Sequence, residues 1–172
     1  MKSVSVVLAL CVALLMSSAC SKRTENSYKD AVSNALEQAD LKGLSVTEDR
    51  DKNTVTLTGT LHSEDSKNRA GQVAEAAAPG RIVANEISVE PVGNESDAKK
   101  IESNVDDAIQ KNYKAALIAN GLNKQRIRFD SNNGVITLKG KVKNSEDRKK
   151  AEEVAASVPN VAQVVNELQV SR

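Results

Sequence analysis

Tryptophan is absent from this 172-residue chain, and Tyr28, Tyr113 and Phe129 are its only aromatic residues. A reader of single-stranded nucleic acid stacks bases on such rings, so no nucleic-acid partner is expected. One histidine, His62, and two cysteines fall short of the usual four-ligand Cys/His zinc set, and no metal is expected. No glycine-rich phosphate loop occurs, and no Ser or Cys nucleophile stands in a recognisable setting. Asp49/Asp51 and Asp106/Asp107 read as turn and helix-surface acids with no catalytic spacing. The chain is therefore expected to be no enzyme and to need no cofactor. Excess charge of either sign is also missing: 24 Lys and Arg against 23 Asp and Glu leave +1. Whole-chain charge selects no partner.

What is present begins with an export signal. Met1-Lys2 is a short positive start, Val4 to Met16 is almost uninterruptedly apolar, and Ser17-Ser18-Ala19 supplies small residues for cleavage. The run is too short for a comfortable permanent span. Residues 1–19 are thus a signal peptide that carries Cys11 away and leaves Cys20 alone, which excludes an intrachain disulfide. Leu15-Met16-Ser17-Ser18-Ala19-Cys20 resembles a bacterial lipoprotein signal, although Ser17 stands where Leu is usual. That resemblance implies lipidation of Cys20, a tether over 20–26, and, with Ser21 following, an outer-membrane lipoprotein facing the periplasm. The alternative is plain secretion with Cys20 as a free N-terminal thiol.

The remaining chain is one module written twice. At an offset of 81, identities include Ala35/Ala116, Leu36/Leu117, Asp49/Asp130, Thr56/Thr137, Gly59/Gly140, Ala74/Ala155, Asn85/Asn166 and Val89/Val170. Two copies are too few for a solenoid, so two small globular modules are expected. They occupy 27–90 and 98–172, with 91–97 as a linker. Each reads helix, strand, strand, helix, strand. The first helix carries Tyr28, Val32, Leu36 and Ala39, or Ile101, Val105, Ile109 and Leu117 with Ser96 as N-cap. Alternating strands follow, Ser45–Asp49 with Val55–Leu61 and Arg126–Phe129 with Val135–Val142, the second hairpin turning at Asn133-Gly134. Helices starting near Ser63 and Ser145 end at Pro79-Gly80 and Pro159-Asn160, and strands Val83–Val89 and Val164–Val170 close the modules. The fold class is α+β: two tandem αββαβ modules, each a three-stranded sheet covered on one face by two helices. The other face is left to solvent or a partner.

Val55-Thr56-Leu57-Thr58-Gly59 and Ile136-Thr137-Leu138-Lys139-Gly140, followed by Val83-x-Asn85-x-Ile87-x-Val89 and Val164-x-Asn166-x-Leu168-x-Val170, resemble the BON family of bacterial osmotically inducible and nodulation proteins. The resemblance covers nearly the whole mature chain and makes Gly59, Gly140, Asn85 and Asn166 structural motif residues. It implies a non-enzymatic module that binds phospholipid membranes and supports envelope integrity or stress tolerance. One departure is visible: Pro79 and Pro159 are a residue out of step with the offset of 81.

Charge separates the copies. Residues 20–90 hold 9 basic and 12 acidic side chains, and residues 91–172 hold 14 and 11. With Ile127, Phe129, Ile136, Leu138 and Val142 facing the helices, the opposite face carries Arg126, Arg128, Lys139, Lys141 and Lys143. Their counterparts in the first copy are Ser45, Thr47, Thr58, Thr60 and His62. The basic face suits anionic phospholipid headgroups; the alternative is a solvated face whose lysines deter aggregation. Tyr113, Leu117 and Ile118 could reach lipid, but their spacing with Ile109 favours the core. Two other functions remain open: a protein–protein adaptor meeting an acidic envelope protein, and a soluble periplasmic stress protein of chaperone-like character.

Overall fold

The computed structural model describes residues 27–171; the expected signal peptide, Cys20 and the expected tether lie outside them. The first module runs α1 (Tyr28–Gln38), β1 (Ser45–Asp49), β2 (Thr54–Leu61), α2 (Glu64–Ala77) and β3 (Ile82–Val89). The second repeats it as α3 (Glu95–Ala119), β4 (Arg126–Asn132), β5 (Val135–Val142), α4 (Ser145–Ala156) and β6 (Gln163–Val170). The sheets are ordered β1-β2-β3 and β4-β5-β6. In each, the hairpin pair is antiparallel, and the third strand runs parallel to the second because a helix crosses over between them.

Alternation does the work inside the sheets. Val55 and Leu57 of β2 with Val83 and Ile87 of β3 pack under Val32 and Leu36 of α1 and Ala70 and Ala74 of α2. Ile136, Leu138, Val142 and Leu168 pack under Ile109, Tyr113 and Leu117 of α3 and Ala151 and Ala155 of α4. The alanines on α2 and α4 let the helices lie close on the strands. Caps follow the same repeat: Ser63 Oγ accepts from Ser66 N at 3.2 Å, and at the matching position Asn144 Oδ1 accepts from Asp147 N at 2.7 Å. The slip at Pro79 and Pro159 is absorbed in the turns, and both last strands resume in step.

α3 differs from the expected first helix. It starts at Glu95 with Asn94 as N-cap, so Ser96 lies inside it and the segment between β3 and α3 is short. The early turns are helical because they pack on the first module. Glu102 accepts from Val89 N at 3.0 Å and from Ser88 Oγ at 2.6 Å.

The motif glycines stand at a distortion of the middle strands. Gly59 and Gly140 have φ of 132° and 115°. A Cβ at Gly140 would collide with the carbonyl oxygen of Arg126, and one at Gly59 would sit 3.0 Å from that of Gly43. Only glycine fits both the dihedral and the approach. Gly140→Ala is expected to cost roughly 2–3 kcal/mol of stability. Chemical denaturation of the variant tests this, and an unchanged midpoint would contradict the geometry.

Candidate functional site

The β4–β5 hairpin carries the basic side chains. Asn133 and Gly134, with φ of 50° and 79°, make a two-residue turn whose twist matches the flanking strands. From that turn the pleat sends Ile136, Leu138 and Val142 to the helices and leaves Arg126, Arg128, Lys139 and Lys141 exposed on the other face. Register then sets like charges opposite one another: Arg126 faces Lys141 and Arg128 faces Lys139. Cross-strand pairs of one sign are destabilising. On the far side of β5, Lys139 lies opposite Glu167 and Lys141 opposite Gln169. Lys143 is exposed just beyond the end of β5.

These five residues do not form one uniform patch. Arg126, Arg128 and Lys141 line a groove of about 450 Å³ together with Ile127, Gly140, Gln169 and Lys52. Lys52 comes from the β1–β2 turn of the first module and was not among the expected site residues. Among the described residues none of these four cationic side chains is held in an ion pair or hydrogen bond. Lys139 is attracted instead towards Glu86 of the first module.

The face owes its position to how the modules dock. Ile82 and Ala84 of β3 meet Val135 and Val165 on the side away from the helices, so part of each open sheet face is covered by the other module. Gln163 inserts its side-chain amide against β3, donating from Nε2 to Val83 O at 2.6 Å and accepting from Asn85 N at 3.1 Å. The hairpin tip adds Asn133 Nδ2 to Glu86 O and Asn132 Nδ2 to Glu86 Oε2, both at 2.8 Å. Asp106, read from sequence as a helix-surface acid, is buried and organises this tip. Its carboxylate accepts from Ser131 Oγ at 2.7 Å, Asn133 N at 2.8 Å and Gly134 N at 3.0 Å.

The other expected residues find definite places. Asn85 and Asn166 clamp strand to helix, donating to Lys67 O at 2.8 Å and Arg148 O at 3.3 Å respectively. Tyr113 and Leu117 are buried. The Tyr113 hydroxyl donates to Ala151 O at 3.1 Å, its ring meets Phe129 edge-on at 4.9 Å, and burial pushes its phenol well above the ordinary value. Ile118 is exposed. His62 is exposed, its Nδ1 2.8 Å from Glu90 O. Cys20 lies outside the described residues.

Comparison with known proteins adds the family. The family profile described as BON domain matches residues 24–91 and again 105–172. No curated protein matches the chain. Two solved structures share 10% and 8% identity with it: the C-terminal domain of CdsD, the structural protein of the type III secretion system of Chlamydia trachomatis, and a second structure of CdsD. They cover 86% and 83% of this chain and 98% and 91% of their own, with TM-scores of 0.35 and 0.37. At those scores the likeness carries no functional argument.

Two outcomes test the docking. Asp106→Ala strands two backbone N–H groups and a hydroxyl, and is expected to cost about 2–3 kcal/mol in thermal or denaturant unfolding. Burial, partly offset by the Asn132 hydrogen bond and Lys139, raises the Glu86 carboxyl above 4.5. The folded protein therefore holds that proton more tightly than the unfolded chain, and this contribution to stability falls as pH rises through the window just above 4.5. Glu86→Gln is expected to remove that decline and leave a more stable protein above the window, as read from denaturation midpoints against pH.

Proposed function

Because the chain belongs to the BON domain family in two tandem copies, we propose that it is a non-enzymatic envelope protein whose second module binds anionic phospholipid surfaces. Arg126, Arg128, Lys139, Lys141 and Lys143 would carry that contact. The observation behind this reading is the register: Arg126 against Lys141 and Arg128 against Lys139, on an exposed face. A strand that only needed solubility could alternate signs across the pair, and repulsion between neighbours would vanish. A surface of phosphates supplies the missing counter-charge, at about 1 kcal/mol per basic side chain near an anionic membrane. The first module contributes Ser45, Thr47, Thr58 and Thr60 at the matching positions, so membrane contact falls to one copy.

The rest of the reading concerns location. The signal over 1–19 exports the chain, and acylation of Cys20 tethers it to the periplasmic side of the outer membrane, where it supports envelope integrity or stress tolerance. In that setting the acyl chain supplies residence and the sheet face supplies lipid choice, since stable anchoring takes more than one signal. Intact mass of the mature protein tests the acyl group: acyl chains on Cys20 support the tether, and an unmodified thiol removes it.

Co-sedimentation of a chain carrying Cys20→Ser, which cannot be acylated on sulfur, tests the face. Binding to anionic but not neutral vesicles, weakening with salt, is expected. The double reversal Lys139→Glu with Lys141→Glu is expected to reduce it by at least about thirtyfold, from the charge removed. Absence of binding to either vesicle type would transfer the basic face to an acidic protein partner.

A further inference from the structure

We infer that the groove between Lys52 and the β4–β5 face is a site for a phosphate ester, completed across the module boundary by Lys52, so that an occupied site ties the two modules together. This rests on the anion-binding reading of that face and adds to it a ligand group and a second module.

Four cations, Lys52, Arg126, Arg128 and Lys141, line one groove that no carboxylate lines. Among the described residues their side chains have no ion pair or hydrogen bond. A second cleft is acidic instead. That cleft, about 510 Å³, is lined by Glu90, Glu102 and Asp106 among others. Three of its four carboxylates are already engaged: Glu102 by Ser88 and Val89, Asp106 by the hairpin tip, and Glu90 by Thr60, Ser88 and Lys99. The acidic cleft has most of its partners inside the protein. The basic groove does not.

The chemistry of the lining selects the ligand. Two guanidinium forks match phosphate oxygens in pairs, and two ammonium groups add point charge. A phosphate monoester brings about −1.5 to −2 charge near pH 7 and three acceptor oxygens. A volume of about 450 Å³ exceeds what phosphate fills and lies within the range of small-molecule sites, so the group arrives on a polyol or sugar carrier. Gln169 offers that carrier one amide donor and acceptor, and Gly140 adds no side chain to the lining. The same chemistry is found on a lipid headgroup and on a free phosphorylated polyol.

The test uses the full chain, with glycerol 3-phosphate as ligand, glycerol as control, and phosphatidylglycerol vesicles in parallel. Backbone amides at Lys52 and Gly140 are followed by NMR. Binding of glycerol 3-phosphate but not glycerol, with both amides shifting, is expected. Lys52→Glu, at a surface turn, should weaken it by roughly tenfold or more, whereas Lys149→Glu, exposed on α4 and outside the groove lining, should change it by less than about threefold. Unchanged affinity in Lys52→Glu, or no binding of the ester by the parent, overturns the proposal. If vesicle binding persists in that case, the membrane reading stands without the groove. Loss of ester binding in Lys52→Glu with no vesicle binding by either protein upholds the groove, assigns it a free ester, and overturns the membrane reading instead.

Discussion

A β-strand at the edge of a sheet carries backbone N–H and C=O groups that must find partners once another surface covers them, and β3 is such a strand. Its outer edge is satisfied by side chains of the second module: Gln163 takes Val83 O and Asn85 N, and Glu102 takes Val89 N. The apolar contact beside these bonds is small, only Ile82, Ala84, Val135 and Val165. Hydrogen-bond geometry therefore determines how the modules meet. Everything about the basic face inherits that arrangement, because Lys52 lines its groove only while β3 and the β1–β2 turn are docked in this register.

Duplication supplied two equal modules, and their differences distribute the work. Asn133 docks the second module, and its counterpart in the first module is Lys52, which lines the groove. One turn position thus serves cohesion in one copy and charge in the other. A similar exchange occurs at the ends of the cores. In the first module buried Glu48 receives Arg81 and Arg50 at 3.6 Å, and Arg81 lies 4.6 Å over the Tyr28 ring. In the second, Phe129 replaces that acid and packs on Tyr113.

Local pattern made most of the fold legible. Alternation located β1 and β5 to the residue, and Asn133-Gly134 turned where its backbone preference says it should. The same alternation placed Arg126, Arg128, Lys139 and Lys141 on one exposed face. What escaped sequence reading depends on contacts distant in the chain. Ser96 and Ile101 announce the early turns of α3, but no local signal announces that Glu102 there reaches β3. Asp106 resembles any helix acid until the hairpin tip closes on it, and Lys52 looks like an ordinary turn lysine until the modules dock. Periodicity reports which way a side chain points, not what it meets there.

Head-to-tail docking of repeated units usually has no natural end, since the last unit offers the surface that the first one used. Here part of that surface is covered. Arg148 folds over the outer edge of β6, donating from Nε to Leu168 O at 2.9 Å and from Nη2 to Asn166 O at 3.0 Å, while Asn166 Oδ1 accepts from Leu168 N at 3.1 Å. Lys67, the matching residue of the first module, reaches away to Asn133 O and leaves β3 available. One arginine in place of a lysine thus covers on β6, from inside its own module, part of an edge that β3 keeps for its neighbour.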